Sequence, residues 1–409
     1  MRKKIIGSIC LFCLLFIGSA NVGAQEQENC RPKNCIRNAN GCFDAPPGVV
    51  IHNSPAVTKH FIGSPSIIRR KDGSYLVSHD YFGDNARTIT FVYRSYDKGQ
   101  TWKRIAEIHG LYWATLLERT EGVYLIGSYR VGRGGYGNAV VLKSVDGGST
   151  WTTPTDSKSG LLLEGNYHCA PVPVIYHNGR IWRAMEQHAT SDGWGQFSAF
   201  MMSIKEGDDM LDASNWTFSN YLSFPSGEGI PGSDWLEGNA VVDRKGNVKD
   251  ILRVHYGKDN IAAMVDISPD GTKASFDSRS GFITLPGACK KFTIRYDAVS
   301  DKYWTLSNWV QEDALKQSSN VERIRNTVVL SWSDDLRNWH MKEVVLHHPD
   351  VAVHAFQYLD WVIEGDDIIA VSRTAWEDET GDADSQHNAN YITFHRFCNF
   401  RDGVSDSLH

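Results

Sequence analysis

The chain has 409 residues, of which 42 are Lys or Arg and 48 are Asp or Glu, so its formal net charge at pH 7 is -6. This acidic balance argues against nucleic acid as a partner, because nucleic-acid binding requires a basic face. The composition is that of a globular protein, with 13 Trp and 16 Tyr. Long amphipathic helical patterns are absent, which favours a fold built from strands.

A signal peptide is predicted over residues 1–24. The basic start MRKK is followed by the apolar run IIGSICLFCLLFIGSA and by small residues that end at Ala24, which is the pattern of a cleaved leader. Cleavage removes three basic residues and lowers the net charge from -6 to -9. No lipobox-like sequence precedes a cysteine. We therefore expect a periplasmic or secreted protein without a membrane span.

Residues 25–47 form a lead-in that contains Cys30, Cys35 and Cys42. In an oxidising compartment these cysteines favour a small disulfide-tied knot. A zinc site is the weaker alternative, because no CxxC pair or HxxxH partner accompanies them. We expect no cofactor and no catalytic metal.

Residues 48–409 carry one repeat and are predicted to form a single β-propeller domain. Two segments match the Asp box S-x-D-x-G-x-T-W without a gap, namely SYDKGQTW (95–102) and SVDGGSTW (144–151). Degenerate copies are SWSDDLRNW (331–339), DASNW (212–216) and SPDGTKASF (268–276). Recurrence at intervals of roughly 50 to 65 residues indicates a repeat architecture. Asp97 and Asp146 are interpreted as turn residues and not as catalytic groups.

Each box follows an apolar hairpin, as in SPSIIRRKDGSYLVSHD and NAVVDRKGNVKDILRVHY. Strand, strand, strand, box turn and strand make one propeller blade. The count gives six blades. The segment PGVVIHNSPA near the N-terminus is predicted to supply the outer strand of the last blade and so to close the ring.

In such a blade, the start of the first strand and the end of the second lie on one face of the ring. Strand-one starts are His60, Tyr112, Trp113, Tyr167, His168, Glu237, Asn239, Lys290, Lys291 and His354. Strand-two ends include His79, Asp80, Tyr81, Tyr129, Arg130, Glu186, His188, His255, Tyr256, Asn308, Trp309, Arg373 and Trp376. The opposite rim carries ordinary turn residues. Aromatic and charged groups on one face suit a carbohydrate, and Arg183 and Arg253 are placed to reach a carboxylate.

The boxes resemble those of sialidases, although no Arg stands ahead of Pro65, where sialidases carry the first of three carboxylate-binding arginines. A closer resemblance is to the propeller polysaccharide lyases that act at rhamnose–glucuronate linkages, including ulvan lyases, which have rhamnosidase relatives. The segments FIGSPSIIRRKDGSYLVSHDYFG, LYWATLLERTEGVYLIGS, KKFTIRYDAVSDKYWTLSNWV and HAFQYLDWVIEGDDIIAVSRTAW through NANYITFHRF carry it. This resemblance implies seven blades.

The resemblance implies a monomeric lyase that cleaves a uronic-acid-containing polysaccharide by β-elimination. Such an enzyme needs a base, an acid and a cation that neutralises the carboxylate. Tyr167 and Arg183 match its Tyr and neutralising Arg, and His79, or next His168, is the expected histidine. The predicted substrate-binding residues are Trp113, Arg130, Glu186, Arg253, Tyr256 and Arg373. A rhamnosidase would instead use His52 on the opposite face, and a glycan-binding propeller without catalysis is the third alternative.

Overall fold

The computed structural model of this chain describes residues 35–38, 41–83, 88–130, 136–190, 193–255 and 259–404. The predicted signal peptide, Cys30 and Tyr256 lie outside these ranges, and the side chains of Cys35 and Cys42 are not described. The leader and the disulfide knot therefore stay predictions. Strands β1 (Cys35–Asn38) and β2 (Gly41–Asp44) pair as a hairpin. No helix in the described ranges is long and apolar enough to span a membrane.

The remaining strands form consecutive antiparallel sheets arranged as a β-propeller. The first sheet contains β4 (Phe61–Ile62), β5 (Ser66–Arg69), β6 (Tyr75–Phe82), β7 (Ile89–Ser95) and β8 (Lys103–His109). Within the described ranges, helix is restricted to the 3₁₀ turns Ala56–Thr58, Ala213–Asn215 and Val321–Arg323 and to the single turn α1 (Glu312–Leu315). The all-β fold class is confirmed.

A nine-stranded sheet follows, and it contains two meanders. The first meander is β9 (Leu111–Arg119), β10 (Gly122–Tyr129), β11 (Gly137–Ser144) and β12 (Leu161–His168). The second is β13 (Ile175–His177), β14 (Arg180–His188), β15 (Phe197–Lys205), β16 (Trp216–Phe218) and β17 (Leu222–Ser223). The two merge because Tyr167 and His168 at the end of β12 pair with Gln187 and Glu186 of β14.

Three further sheets complete the ring. The next contains β18 (Asp234–Val242), β19 (Val248–His255), β20 (Ile261–Ile267), β21 (Ala274–Ser275) and β22 (Phe282–Thr284). It is followed by β23 (Thr293–Asp297), β24 (Lys302–Asn308), β25 (Thr327–Ser333) and β26 (Trp339–His347). The last contains β27 (Ala355–Glu364), β28 (Asp367–Ala375), β29 (Tyr391–Phe397) and, from the N-terminal segment, β3 (Val49–Asn53).

The ring is closed by β3, which pairs antiparallel with β29 through the partners Asn53 and Tyr391 and His52 and Ile392. The prediction that the N-terminal segment supplies this outer strand is therefore confirmed. Because the first and last parts of the chain share one sheet, opening the ring requires breaking a full strand pairing.

The core lies between neighbouring sheets. The middle strands are buried on both faces because each sheet packs between two others, and this explains near-continuous apolar runs such as AVVL in β11. Fully buried indole rings anchor successive sheets at Trp182, Trp235, Trp304 and Trp361. An aromatic side chain that buries about 200 Å² contributes roughly 5 kcal/mol, so these four rings together contribute on the order of 20 kcal/mol.

The outer turns that follow the third strands explain the residue pattern that recurs in the boxes. Asp97 accepts hydrogen bonds from the backbone N–H of Thr101 at 2.9 Å and the Ser95 hydroxyl at 2.8 Å. Trp102 then donates its indole N–H to the carbonyl of Gly99 at 3.0 Å. The hydroxyl and backbone N–H of Thr101 are the main causes that lower the pKa of Asp97 to about 2. The carboxylate is thus fully occupied by the turn.

Candidate active site

Three inner strands each contain one left-handed residue that is not glycine. Trp113 on β9, Glu237 on β18 and Tyr358 on β27 have φ values of 54°, 60° and 56°. The pairing of each of these strands with its neighbour shifts register at this point. Left-handed Trp and Tyr are true outliers, and bulges of this kind redirect side chains next to functional sites.

Two of these residues meet in a buried cluster. The carboxylate of Glu237 forms an ion pair with Arg253 Nη1 at 3.0 Å, and the charge of Glu237 acts on the neighbouring phenol of Tyr358. Burial acts to raise the pKa of Glu237, but the charges of Arg253 and His168 and the polar side chains of Arg253 and Tyr358 lower it overall. Glu237 is therefore an ionised carboxylate held against a phenol.

Two more arginines flank the phenol. The guanidinium carbons of Arg373 and Arg325 lie 4.9 Å and 5.6 Å from the ring centre of Tyr358. Arg325 donates to the side chain of Gln357 at 2.5 Å and to the carbonyl of Glu322 at 2.9 Å, and Arg373 donates to the carbonyl of His387. Burial lowers the pKa of both, that of Arg373 to about 9.

The cluster has more positive than negative charge. Arg253, Arg325 and Arg373 are all buried, and of these only Arg253 forms an ion pair within the described ranges. The buried Nε of Arg373 has no hydrogen-bond partner among the described residues. Burying an unpaired cation is costly. A planar guanidinium matches a carboxylate bidentately, so the cluster is built to receive an anion.

The missing arginine ahead of Pro65 has a steric explanation. A Cβ atom at Gly63 would lie 2.3 Å from Oδ1 of Asp80, so no side chain fits there. Asp80 is held by the backbone N–H groups of Ser64 at 2.7 Å and Trp113 at 3.3 Å. Burial is the main cause that raises its pKa to about 6. Arg373, from the last sheet, is the third buried guanidinium of the cluster.

His168 and Glu186 form a second group of buried polar residues near Glu237. His168 Nδ1 lies 2.9 Å from Oε2 of Glu186, whose other oxygen accepts the N–H of Gly238 at 3.0 Å. The charge of His168 also acts on Glu237. Burial, and then the charge of Glu186, raises the pKa of Asp250 well above its usual range. The predicted residues His168 and Glu186 are thus adjacent to the cluster.

Aromatic rings extend from His168 toward solvent. Its ring centre lies 4.6 Å from Trp113, 4.7 Å from Phe197 and 5.2 Å from Trp194. Trp194 is 54% exposed. The predicted substrate-binding residue Trp113 therefore belongs to an aromatic wall beside Glu237, of the kind that binds pyranose rings.

The other predicted binding residues differ in their surroundings. Arg253 and Arg373 belong to the cluster described above. Arg130 donates to the hydroxyl of Thr88 at 3.2 Å and lies 4.9 Å from the ring centre of Tyr112. Tyr256 lies outside the described residues.

Tyr167 and Arg183 have different side-chain partners. The Tyr167 hydroxyl lies 2.8 Å from that of Tyr221. The guanidinium of Arg183 donates to the carbonyls of Ala184 at 2.8 Å and Ala170 at 3.1 Å, and its side chain is fully enclosed. Tyr167 lies on β12, which is the outer strand of the preceding meander and also pairs with β14, the strand of Arg183. No hydrogen bond joins the two side chains among the described residues, so their action on one substrate stays a prediction.

This placement changes the expected result for Arg183. Arg183→Lys should leave turnover per folded molecule unchanged and lower the free energy of unfolding by about 1 to 3 kcal/mol, because buried carbonyls lose their donors. Urea denaturation and turnover of the same preparation measure both quantities. Lost turnover at an unchanged free energy of unfolding would show that Arg183 takes part in substrate binding or catalysis.

His79 and His52 lie in one cluster, not on opposite faces. Their ring centres are 5.1 Å apart, and His79 also stacks on Tyr93 at 5.6 Å. His52 Nε2 lies 2.6 Å from the Tyr81 hydroxyl, whereas the buried Nε2 of His79 has no partner among the described residues. Burial is the main cause that lowers the pKa of His52 to about 4 and of His79 to about 3.

These lowered values predict acid sensitivity. As the pH falls from 6.5 toward 3, the unfolded chain protonates at His79 while the folded protein does not, so stability decreases by about 1.4 kcal/mol per pH unit. His79→Phe should flatten this decline and keep neutral-pH turnover. Urea midpoints between pH 4 and 7 test it, with the exposed His109→Phe as the matched control. An unchanged slope, or lost turnover, would contradict the placement.

The opposite rim contains a cavity in addition to the ordinary turn residues that the sequence suggested. A cavity of about 720 Å³ lies there, lined by residues that include Val241, Arg244, Ile294, Tyr296 and Val362. None of the residues of the arginine cluster lines it. The arginine cluster thus lies at one mouth of the ring, and a cavity with a mixed apolar and charged lining lies at the other.

No family model and no curated protein matches the chain. An α-L-arabinanase of Penicillium chrysogenum matches at 13% identity over 87% of this chain and 98% of that chain, with a TM-score of 0.54. The GH93 α-L-arabinofuranosidase of Fusarium graminearum matches at 12% identity over 86% and 97%, with a TM-score of 0.56. Trypanosoma rangeli sialidase matches at 14% identity over 90% and 58%, with a TM-score of 0.55. The chain thus has the β-propeller fold of these sialidase and arabinanase structures.

Proposed function

We propose that the protein is a carbohydrate-active enzyme, a glycoside hydrolase that acts on a sugar bearing a carboxylate. The observation that carries the proposal is the contact of Tyr358 with the ionised Glu237 between Arg325 and Arg373. The solved structures with the same fold include proteins described as arabinanase, arabinofuranosidase and sialidase, which agrees with action on sugars.

In this proposal the arginines hold the substrate carboxylate and Glu237 takes the phenolic proton. Tyr358 then attacks the anomeric carbon, the bond to the leaving oxygen breaks, and water later hydrolyses the glycosyl–enzyme bond. A neutral phenol suits this role, because a carboxylate nucleophile would repel the substrate's own charge. Asp80 is our candidate donor of the leaving-group proton, since its raised pKa of about 6 keeps it protonated in mild acid.

A lyase is the second candidate, and one observation favours it. The phenol of Tyr358 lies beside two guanidinium groups, which is also what proton abstraction next to a neutralised carboxylate requires. In this alternative Glu237 first takes the phenolic proton, and the Tyr358 phenolate then takes the C5 proton of a uronate. The C4–O bond breaks to leave a C4–C5 double bond, and Asp80 gives a proton to the leaving oxygen. The uronic-acid-containing polysaccharide predicted as partner fits both candidates, as do the predicted monomeric state and periplasmic or secreted location.

The products distinguish the candidates. Incubation with rhamnose- and glucuronate-containing polysaccharides and with other acidic glycans is followed by ultraviolet absorbance and mass analysis. Hydrolysis adds the mass of water and produces no absorbance, whereas elimination produces an absorbing unsaturated uronate. Binding without either product would leave the glycan-binding alternative, and release of rhamnose that depends on His52 would support the rhamnosidase.

We also propose six blades. The nine-stranded sheet contains two complete meanders joined by only two residue pairs, and each meander takes the place of one blade. The seven blades implied by resemblance require another meander, and the described strands do not supply one.

A further inference from the structure

A cluster of metal-ligand side chains lies in the connection between β26 and β27, outside the arginine cluster. His348, Asp350 and His354 each offer one ligand atom, and these atoms lie within 4.8 Å of one another. His354 Nδ1 is 2.8 Å from Oδ2 of Asp350. The two imidazole rings stack with their centres 3.6 Å apart.

We propose that His348, Asp350 and His354 bind one zinc ion that fastens this connection. Two imidazoles and a carboxylate are a donor set that favours zinc over calcium or magnesium. Ligand atoms around a tetrahedral zinc lie about 3.4 Å apart, so small side-chain rotations bring the three together. The backbone N–H of Asp350 donates to Nδ1 of His348 at 3.1 Å and orients this ring beside the other two ligands.

The surroundings of His354 support this assignment. Its Nε2 lies 2.8 Å from Oε2 of Glu377. A metal-ligating histidine characteristically donates its other ring N–H to a carboxylate, which fixes the ring and strengthens the ligand. The ring of Trp376 stands against both imidazoles, with centres 4.9 Å from His348 and 4.8 Å from His354. The pair is therefore held in place before any ion binds.

The alternative occupant of the same position is a proton. In that case His354 is an imidazolium between Asp350 and Glu377, and no metal is needed. The two alternatives predict different metal contents. Only a zinc site takes up one equivalent of zinc when the metal is supplied.

The position of the cluster gives the ion a structural role. Asn326 donates to the carbonyl of His348 at 2.6 Å, and the N–H of Phe356 donates to the carbonyl of Arg325 at 2.9 Å. The connection is thus hydrogen-bonded to the segment that carries Arg325. Zinc would stabilise this wall of the arginine cluster without taking part in the reaction.

The test uses the full chain, stripped with chelator and titrated with Zn²⁺. We expect one more equivalent of zinc in the wild-type protein than in His348→Ala, and a rise in Tm of a few degrees on zinc addition that this variant lacks. Glu377→Gln should bind zinc 10- to 100-fold more weakly. His340→Ala, an exposed histidine on β26, is the matched control and should behave as wild type.

Equal zinc content in the wild-type protein and His348→Ala would overturn the proposal, as would wild-type protein that gains no zinc. All variants keep the cysteines of the lead-in, so zinc bound there cancels in the comparison. The readout needs no glycan and does not depend on the proposed enzymatic function.

Discussion

Tyr358→Phe should lower turnover by about 10² to 10⁴-fold while the protein stays folded. The substitution removes only the hydroxyl, so the ring remains between Arg325 and Arg373. Glu237 keeps its ion pair with Arg253, and we expect a stability cost of about 1 kcal/mol for the lost polar group. Initial rates on the best acidic glycan, together with thermal unfolding, measure both effects.

Tyr167→Phe is the matched control, because it removes a phenol of the same kind from a hydroxyl pair outside the cluster. Its turnover should stay near that of the wild-type protein. If Tyr167→Phe were inactive and Tyr358→Phe active, the reacting group would have to be sought beside Tyr167, as the lyase resemblance implied.

Arg325→Lys and Arg373→Lys should each lower turnover on a carboxylate-bearing substrate by about 10² to 10³-fold. A lysine keeps the charge but loses the planar, bidentate fork. The loss should be much smaller on a neutral sugar, because no carboxylate is then bound. Rates on an acidic glycan and on an uncharged aryl glycoside separate the two cases.

Arg244→Lys provides the control for this pair. Arg244 is an arginine on the opposite rim that is ion-paired with Asp301, and the change should leave both rates unaltered. An equal loss on acidic and neutral substrates in Arg373→Lys would mean that the arginines support the fold and not the carboxylate.

Much of the fold follows from local patterns in the sequence. The outer strand that closes the ring was visible because VVIHN is an apolar segment without a partner nearby. The face that carries the cluster was also predicted, since Glu237 stands at the start of a first strand, Arg373 at the end of a second strand, and Arg253 inside a second strand. These inferences depend on short-range periodicity, which antiparallel meanders preserve.

The composition of the site was harder to predict. Tyr358 reads as an interior residue of AFQYLDWVIEG, because a bulge interrupts the two-residue period without leaving a mark in the sequence. Arg325 lies in the connection between β24 and β25, outside any strand, so no hairpin pattern in the sequence marks it. One usable signal was present, since Glu237 and Arg253 lie on the adjacent paired strands β18 and β19. Glu237 and Arg253 meet Tyr358 and Arg373 of a distant sheet only because the ring closes, and local sequence patterns do not show this.

The preference for a carboxylate is the most direct test of this account. One polysaccharide is compared before and after chemical reduction of its carboxyl groups to alcohols, which removes the charge and keeps the linkages. The account predicts that the wild-type protein cleaves the acidic form of the best substrate at least about 10²-fold faster than the reduced form. Equal cleavage of both forms, or binding and cleavage of neutral glycans alone, would contradict it.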